Sequence, residues 1–364
     1  MNHTIPYENL KTLNKTFEDK FKTRFNDFLE SGWYILGKEV SEFEREFGDF
    51  HGEKYVAGVA NGLDALILSL RCCNFPKGAE VIVPSNTYIA SILAILQCDL
   101  VPVFVEPDIN TYNIDPERIA TAITKHTVAI MVVHLYGQCC EMDPIMALAE
   151  AHKLKVIEDC AQAHGATYKG KMAGTFGDFG AFSFYPTKNL GALGDAGAVI
   201  CKNEEDYQLI RQFRNYGSEK KYHNSVIGYN SRLDELQASF LRTKLPYLNA
   251  INDHKKELAQ LYQKQLSNNY IKPVAHRNFD HVYHIFNIRH PERDRLKQYL
   301  AENLISTEIH YPIAPHHQTA LSYMNRLSYP ISEEIHRTTL SLPCSYAHTK
   351  EEIIRTIEIM NNFS

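Results

Sequence analysis

The sequence predicts an α/β fold, a mostly parallel sheet between helices followed by a smaller α+β domain. Three observations carry this. Between about residues 55 and 200, short β-branched runs alternate with helical patterns, the arrangement that builds parallel sheets through helical crossovers. Residues 128–133 form an unbroken apolar run, as expected of a strand covered on both faces. After residue 200 the alternation gives way to a long helical stretch and then to a mixed pattern.

Taken in order, residues 55–59 read as the first strand and 63–70 as the helix behind it. Residues 80–83 form a second strand, stopped by Pro84, with a helix over 88–97. A third strand covers 101–105, with helical spacing over 114–124. The run at 128–133 is followed by Pro144 in a helix's first turn, then Ile145, Leu148, Ala149 and His152 at helical spacing. Residues 154–158 lead into Asp159, and glycine-containing strands follow at 179–184 and 196–201. Residues 233–266 are helical, with a restart at Pro246. From His281 the pattern reads strand (282–288), helix (293–303), strand (307–311) and a last helix from Glu351. These elements divide the 364 residues into a large domain over 1–250 and a small one over 251–364.

Composition narrows the function. The 38 Lys+Arg are scattered among 43 Asp+Glu for a net charge of −5, which offers no footprint for nucleic acid or anionic lipid. The most apolar stretch, 89–105, is interrupted by Gln97, Asp99 and Pro102, so no membrane span is expected. The first residues carry neither a basic n-region nor an apolar h-region, and the expectation is a cytoplasmic protein. Eight cysteines, including the pairs Cys72, Cys73 and Cys139, Cys140, show no Cys-x-x-Cys and read as reduced thiols. No metal site is expected, because the histidines, His316 and His317 included, lack ligand-like spacing.

Chemistry concentrates between Val156 and Ile200. Glu158 and Asp159 end a buried strand, where an acid is costly unless it meets a cation or donors. Ser183 ends the next strand, and Lys188 lies just beyond it, before Gly191, Gly194 and Gly197. These glycines precede a strand and do not form Gly-x-Gly-x-x-Gly, which disfavours a dinucleotide site. An acid, a serine and a lysine at successive strand ends are the parts of a pyridoxal 5'-phosphate site. The lysine amine condenses with the cofactor aldehyde, and a carboxylate pairs with the pyridine nitrogen. A hydroxyl and a helix N-terminus hold the phosphate, and such a start stands at Asn61, Gly62, Leu63 and Asp64.

Long ordered motifs then point to a family. They run from Gly32 to Val40, through Asn61 to Asp64 and Pro84 to Ser91, to the Asp159 and Lys188 motifs. They continue over Gly228 to Ala238 and Ile309 to Pro312. The chain resembles the DegT/DnrJ/EryC1/StrS nucleotide-sugar aminotransferases over nearly its whole length. The resemblance implies the fold-type I, aspartate aminotransferase-like architecture. It makes Lys188 the cofactor-binding lysine and proton shuttle, and Asp159 the partner of the pyridine nitrogen. It places Gln162 beside the phenolic oxygen, Tyr88 on the ring face, and Gly62, Leu63 and Ser183 at the phosphate. Asn230 matches a position that reaches the neighbouring subunit's phosphate, so a homodimer with shared sites is implied. Some relatives carry His in place of Lys188 and act as sugar dehydratases; lysine favours transamination.

The segment from Lys188 to Ala198 also resembles the subgroup that aminates at C-3, whereas relatives acting at C-4 show a Thr-Thr-Gly-Glu-Gly type of loop. The resemblance thus implies transfer from L-glutamate to a dTDP-linked 3-keto-6-deoxyhexose. Tyr185, His310 and Tyr311 are expected to face the hexose. Tyr216 and Lys220, on a basic aromatic loop, are candidates for the nucleotide diphosphate. The 3-amino-fucose and 3-amino-quinovose routes stay open, as do C-4 amination and a regulatory protein that keeps the fold without turnover.

Overall fold

A computed structural model of the chain describes residues 3–363. Its centre is a seven-stranded sheet of β1 (Tyr55–Val59), β2 (Glu80–Pro84), β3 (Val101–Val105), β4 (Thr127–Val133), β5 (Lys155–Asp159), β6 (Phe179–Ser183) and β7 (Gly197–Cys201). The order is β1-β7-β6-β5-β4-β2-β3. The pairs β2–β3, β2–β4, β4–β5 and β5–β6 are parallel, and β7 alone is reversed, antiparallel to both β6 and β1. This is the mostly parallel sheet that the sequence predicts.

Both faces of the sheet are covered, and the strands divide their residues between them with period two. Ala57, Val81, Met131, Ile157 and Val199 pack into one core with the helices Gly62–Cys72 and Ile89–Gln97. Val56, Ile82, Val132, Val156 and Ile200 pack into the other, with Phe43 and Phe47 of the helix Lys38–His51. The buried Glu235 ties that last helix down, since its carboxylate accepts from the amides of Gly37, Glu39 and Val40. An anion there complements the helix N-terminus.

Pro246 does restart the long helical stretch. Glu235–Lys244 gives way to a single tight turn, Leu245–Tyr247, and then to Leu248–Gln265. A separate core joins that helix to Arg293–Glu302, Lys350–Asn361 and the antiparallel pair Phe286–Arg289 and Thr339–Leu342. Ile5 packs into this core and bridges to Ile305.

Two sequence expectations are corrected. The strand expected over 282–288 is only Phe286–Arg289. Tyr283 takes a left-handed φ of 45°, and the chain on either side of it is held elsewhere, by Val282 N–H donating to Gly137 O and Ile285 N–H to Tyr136 O. The strand expected over 307–311 is absent, apart from an isolated bridge between Glu308 and Ser341. Thr339–Leu342 pairs with Phe286–Arg289 along one edge, and among the described residues only Glu308 exchanges backbone hydrogen bonds with its other edge, through Ser341. Pro312 and Pro315, lacking amide donors, then lead the chain away from any sheet.

Candidate active site

Parallel α/β sheets leave their ligand crevice beyond the carboxyl ends of the strands. Here a cavity of about 570 Å³ opens at that end, lined by the residues that follow β1, β2, β4, β5 and β6. It is built from four pieces.

The first is the turn after β1. Asn61 is the N-cap of the helix Gly62–Cys72; its side chain accepts from Asp64 N–H, and its carbonyl from Ala65 N–H. The amides of Gly62 and Leu63 therefore remain for a ligand, as the first amides of a helix do. Glycine is required at position 62 because a Cβ there would stand 2.6 Å from Ser183 Cβ. That close approach brings the Ser183 hydroxyl beside the helix start. Ser183 Oγ accepts from Tyr185 N–H at 3.3 Å, which leaves its own proton to donate.

The second piece is the end of β5. Asp159 pairs in register with Val133 of β4. Its Oδ2 accepts from Ser91 Oγ at 2.8 Å and its Oδ1 from Ala161 N–H at 3.1 Å. Burial pushes its carboxyl pKa up; those two donors and the charge of Lys188 pull it back. Glu158 points to the other face and meets the donors that a buried acid needs. It accepts from His134 Nε2 and from the amides of Gly174, Phe176 and Gly177. Cys140 N–H donates to His134 Nδ1 at 3.0 Å, so the His134 proton lies on Nε2, toward Glu158.

The third piece is the lysine loop. Lys188 N–H closes a turn onto Tyr185 O, the Asn189 amide donates to Asn252 Oδ1 and Val282 O, and Lys244 Nζ donates to Gly191 O at 2.7 Å. The loop is thus pinned on both sides of Lys188. The Lys188 amine lines the cavity, and among the described residues it makes no hydrogen bond. Burial lowers its pKa from 10.5 to about 8, a shift that Asp159 partly opposes. A neutral amine near pH 8 is a nucleophile.

The fourth piece closes the cavity. Gln162 is clamped, its Oε1 accepting from Tyr136 N–H and its Nε2 donating to Tyr311 OH at 3.0 Å. Tyr311 lies against Tyr88, with ring centroids 5.0 Å apart. His310 Nδ1 meets Ser341 Oγ at 2.9 Å, its carbonyl accepts from the Tyr136 hydroxyl, and burial lowers its pKa to about 4. His310 is therefore neutral.

The cavity brings together Gly62, Leu63, Tyr88, Asp159, Gln162, Ser183, Tyr185, Lys188, His310 and Tyr311. It does not include Asn230, Tyr216 or Lys220. Asn230 bridges to Asn215, Tyr216 is 52 % exposed, and Lys220 ends the outlying strand Ser218–Lys220. Thr87, Thr187, Asp195 and His284 also line the cavity and were not singled out from sequence. His284 had no signal, because it lay inside a segment that reads as a strand. Thr87 and Ser91 lie within the Pro84–Ser91 motif, where spacing alone gives them no partner. All eight cysteines are free, and seven are buried. No helix among the described residues is long and apolar enough to cross a membrane.

These residues fit a phosphorylated pyridine aldehyde. Two free helix amides and a hydroxyl suit the phosphate, a buried carboxylate suits the ring nitrogen, and an unpaired amine suits the carbonyl. Fold and site together define an aminotransferase. The chain belongs to the DegT/DnrJ/EryC1/StrS aminotransferase family, whose pattern matches residues 15–361. It is 52% identical over 360 residues to the dTDP-3-amino-3,6-dideoxy-α-D-galactopyranose transaminase of Aneurinibacillus thermoaerophilus, with 99% of each chain covered. Its structure is similar to that of DesV from S. venezuelae, with a TM-score of 0.96 and 39% identity, covering 99% of this chain and 98% of that one. NtdA from Bacillus subtilis, solved with the bound cofactor PMP, matches with a TM-score of 0.92 and 30% identity, covering 99% of this chain and 85% of that one.

Proposed function

We propose that this chain transfers the amino group of L-glutamate to C-3 of a dTDP-linked 3-keto-6-deoxyhexose of galacto configuration, using pyridoxal 5'-phosphate. The carrying observation is the unpaired Lys188 amine facing a cavity that also holds Asp159. The galacto substrate rests on the 52% identity to the Aneurinibacillus enzyme.

Bound pyridoxal phosphate supplies a carbonyl that exchanges with amines and a ring that accepts electron density from the substrate carbon. The protein supplies the rest. Gly62, Leu63 and Ser183 would hold the phosphate, Asp159 would keep the ring nitrogen protonated, and Gln162 and Tyr88 would meet the phenolic oxygen and the ring face. Lys188 Nζ takes the proton from the glutamate Cα and, in the second half-reaction, returns one to the sugar carbon. Tyr185, His310 and Tyr311 contact the hexose, with the neutral His310 available as a hydrogen-bond partner for a hydroxyl.

The same reading makes the chain a cytoplasmic homodimer. Asn230, Tyr216 and Lys220 serve the neighbouring subunit's site, a role supported by the exposure of Tyr222, 86 %, and Ile227, 95 %, on the segment that carries them. In the same reading the cofactor domain spans 1–250 and the small domain 251–364, with Ile5 of the N-terminal segment returning to pack in the small domain's core.

The test is to incubate the enzyme with ¹⁵N-glutamate and each C-4 epimer of dTDP-3-keto-6-deoxyhexose. Label at C-3 of the galacto epimer is expected. Label entering a dTDP-4-keto-6-deoxyhexose supplied in a parallel reaction but neither 3-keto epimer, or glutamate left unconsumed while the yellow colour of the loaded protein persists, overturns the proposal in favour of the C-4 or the regulatory reading.

A further inference from the structure

Asp159 is the buried acid of the cavity, and a carboxylate can only accept hydrogen bonds. Its Oδ2 is met by Ser91 Oγ at 2.8 Å, and Ser91 Oγ lies 2.9 Å from Thr87 Oγ1. Ser91 has one hydroxyl proton. Given to Asp159, that proton leaves Ser91 Oγ as the acceptor, so Thr87 is the donor. The chain therefore has a direction, from Thr87 to Ser91 to Asp159. Ser91 is completely buried and Thr87 nearly so, although Thr87 reaches the cavity wall. Both hydroxyls sit at the start of the helix Ile89–Gln97, one turn apart, on either side of Tyr88.

We propose that Ser91, oriented by Thr87, is a positioning residue for the reaction, holding the Asp159 carboxylate as an acceptor turned to the cofactor's ring nitrogen. Ala161 N–H fixes the other oxygen, so the carboxylate has both rotation and charge set by donors behind it. One helical turn then delivers the aromatic cover of the ring, through Tyr88, and the support of the nitrogen's partner, through Ser91. Removing the Ser91 hydroxyl leaves a buried carboxylate short of a donor and hence more basic. It then draws the shared proton away from the ring nitrogen.

This inference rests on the proposed cofactor chemistry, and its test separates the two. Wild type, Ser91→Ala and Thr87→Val are loaded with pyridoxal phosphate. Cofactor affinity is measured by fluorescence, the visible absorption band is titrated with pH, and kcat and KM for glutamate are compared. Ser91→Ala is expected to raise the midpoint of the band by about one pH unit and weaken cofactor binding about tenfold. Loss of a supporting group of this kind also lowers kcat by about 10- to 100-fold, with KM within about threefold. Thr87→Val, which keeps the volume, shifts the same quantities less in the same direction. If Ser91→Ala does not fold, Thr87→Val still reads the chain. Wild-type midpoint and affinity in whichever variant folds overturn this inference alone. A wild-type protein that binds no pyridoxal phosphate overturns the proposed function and this inference with it.

Discussion

Glu158 and Asp159 are consecutive on β5 and serve opposite faces of the sheet. Asp159 turns to the cavity and the helix Ile89–Gln97, through Ser91. Glu158 turns to the other core, where it gathers His134 and the amides of Gly174, Phe176 and Gly177. The period-two alternation of a strand turns one acid to the cavity and its neighbour to a structural cluster. The loop 174–177 that Glu158 ties down leads directly into β6, which ends at Ser183.

Glu158→Gln is expected to lower stability by about 2–4 kcal/mol, because an amide offers one acceptor oxygen where the carboxylate offered two to charged-group hydrogen bonds. Urea unfolding measures this. A loss under about 0.5 kcal/mol would show that the loop does not depend on that charge.

The Lys188 amine is expected to capture pyridoxal phosphate with a pH midpoint near 8, well below the 10.5 of an ordinary lysine. Stopped-flow absorbance on cofactor-free protein reads it, and a midpoint near 10.5 contradicts the burial argument. The sign for stability follows from the same shift. Between about pH 8 and 10.5 the unfolded chain holds a proton that the folded one has released, so this group's contribution to stability rises with pH across that window. Lys188→Ala removes the proton carrier and should abolish turnover while the protein stays folded.

Gly62→Ala places a methyl group 2.6 Å from Ser183 Cβ and 3.2 Å from its Cα. The helix start must then back away from β6, separating the two free amides from the hydroxyl. Phosphate-dependent cofactor affinity should fall about tenfold or more, with an overpacking cost of about 1–3 kcal/mol in stability. Fluorescence titration with pyridoxal phosphate would reject this if the affinity were unchanged.

The proposed sharing of sites between subunits makes a complementation prediction. Asn230→Ala and Lys188→Ala chains should each be nearly inactive as homodimers. After unfolding and refolding together, random pairing should recover about one quarter of wild-type activity, since half the dimers are hybrids with one intact site. Additive residual activity, with no gain on mixing, would confine Asn230's role to its own chain.

The seven strands of the sheet were readable in the sequence because strands buried on both faces show as short apolar runs, punctuated by Gly and Pro. The motifs around Gly62, Asp159 and Lys188 were readable because a helix start, a strand-end acid and a loop lysine are local features. Residues 282–285 and 307–311 were misread, whereas 286–288 do lie in a strand. Their alternation suggests strands, but Tyr283's left-handed turn and the detour of His310 and Tyr311 answer to contacts more than a hundred residues away.

The sequence by itself thus determined the mostly parallel sheet, the acid and lysine at its strand ends, and membership of the family. Only the tertiary structure decided which groups stand behind them. Ser91 meets Asp159 across 68 positions and Lys244 meets Gly191 across 53. A hydrogen bond depends on where folding brings two atoms, and neither the residue types nor their spacing along the chain encodes that distance.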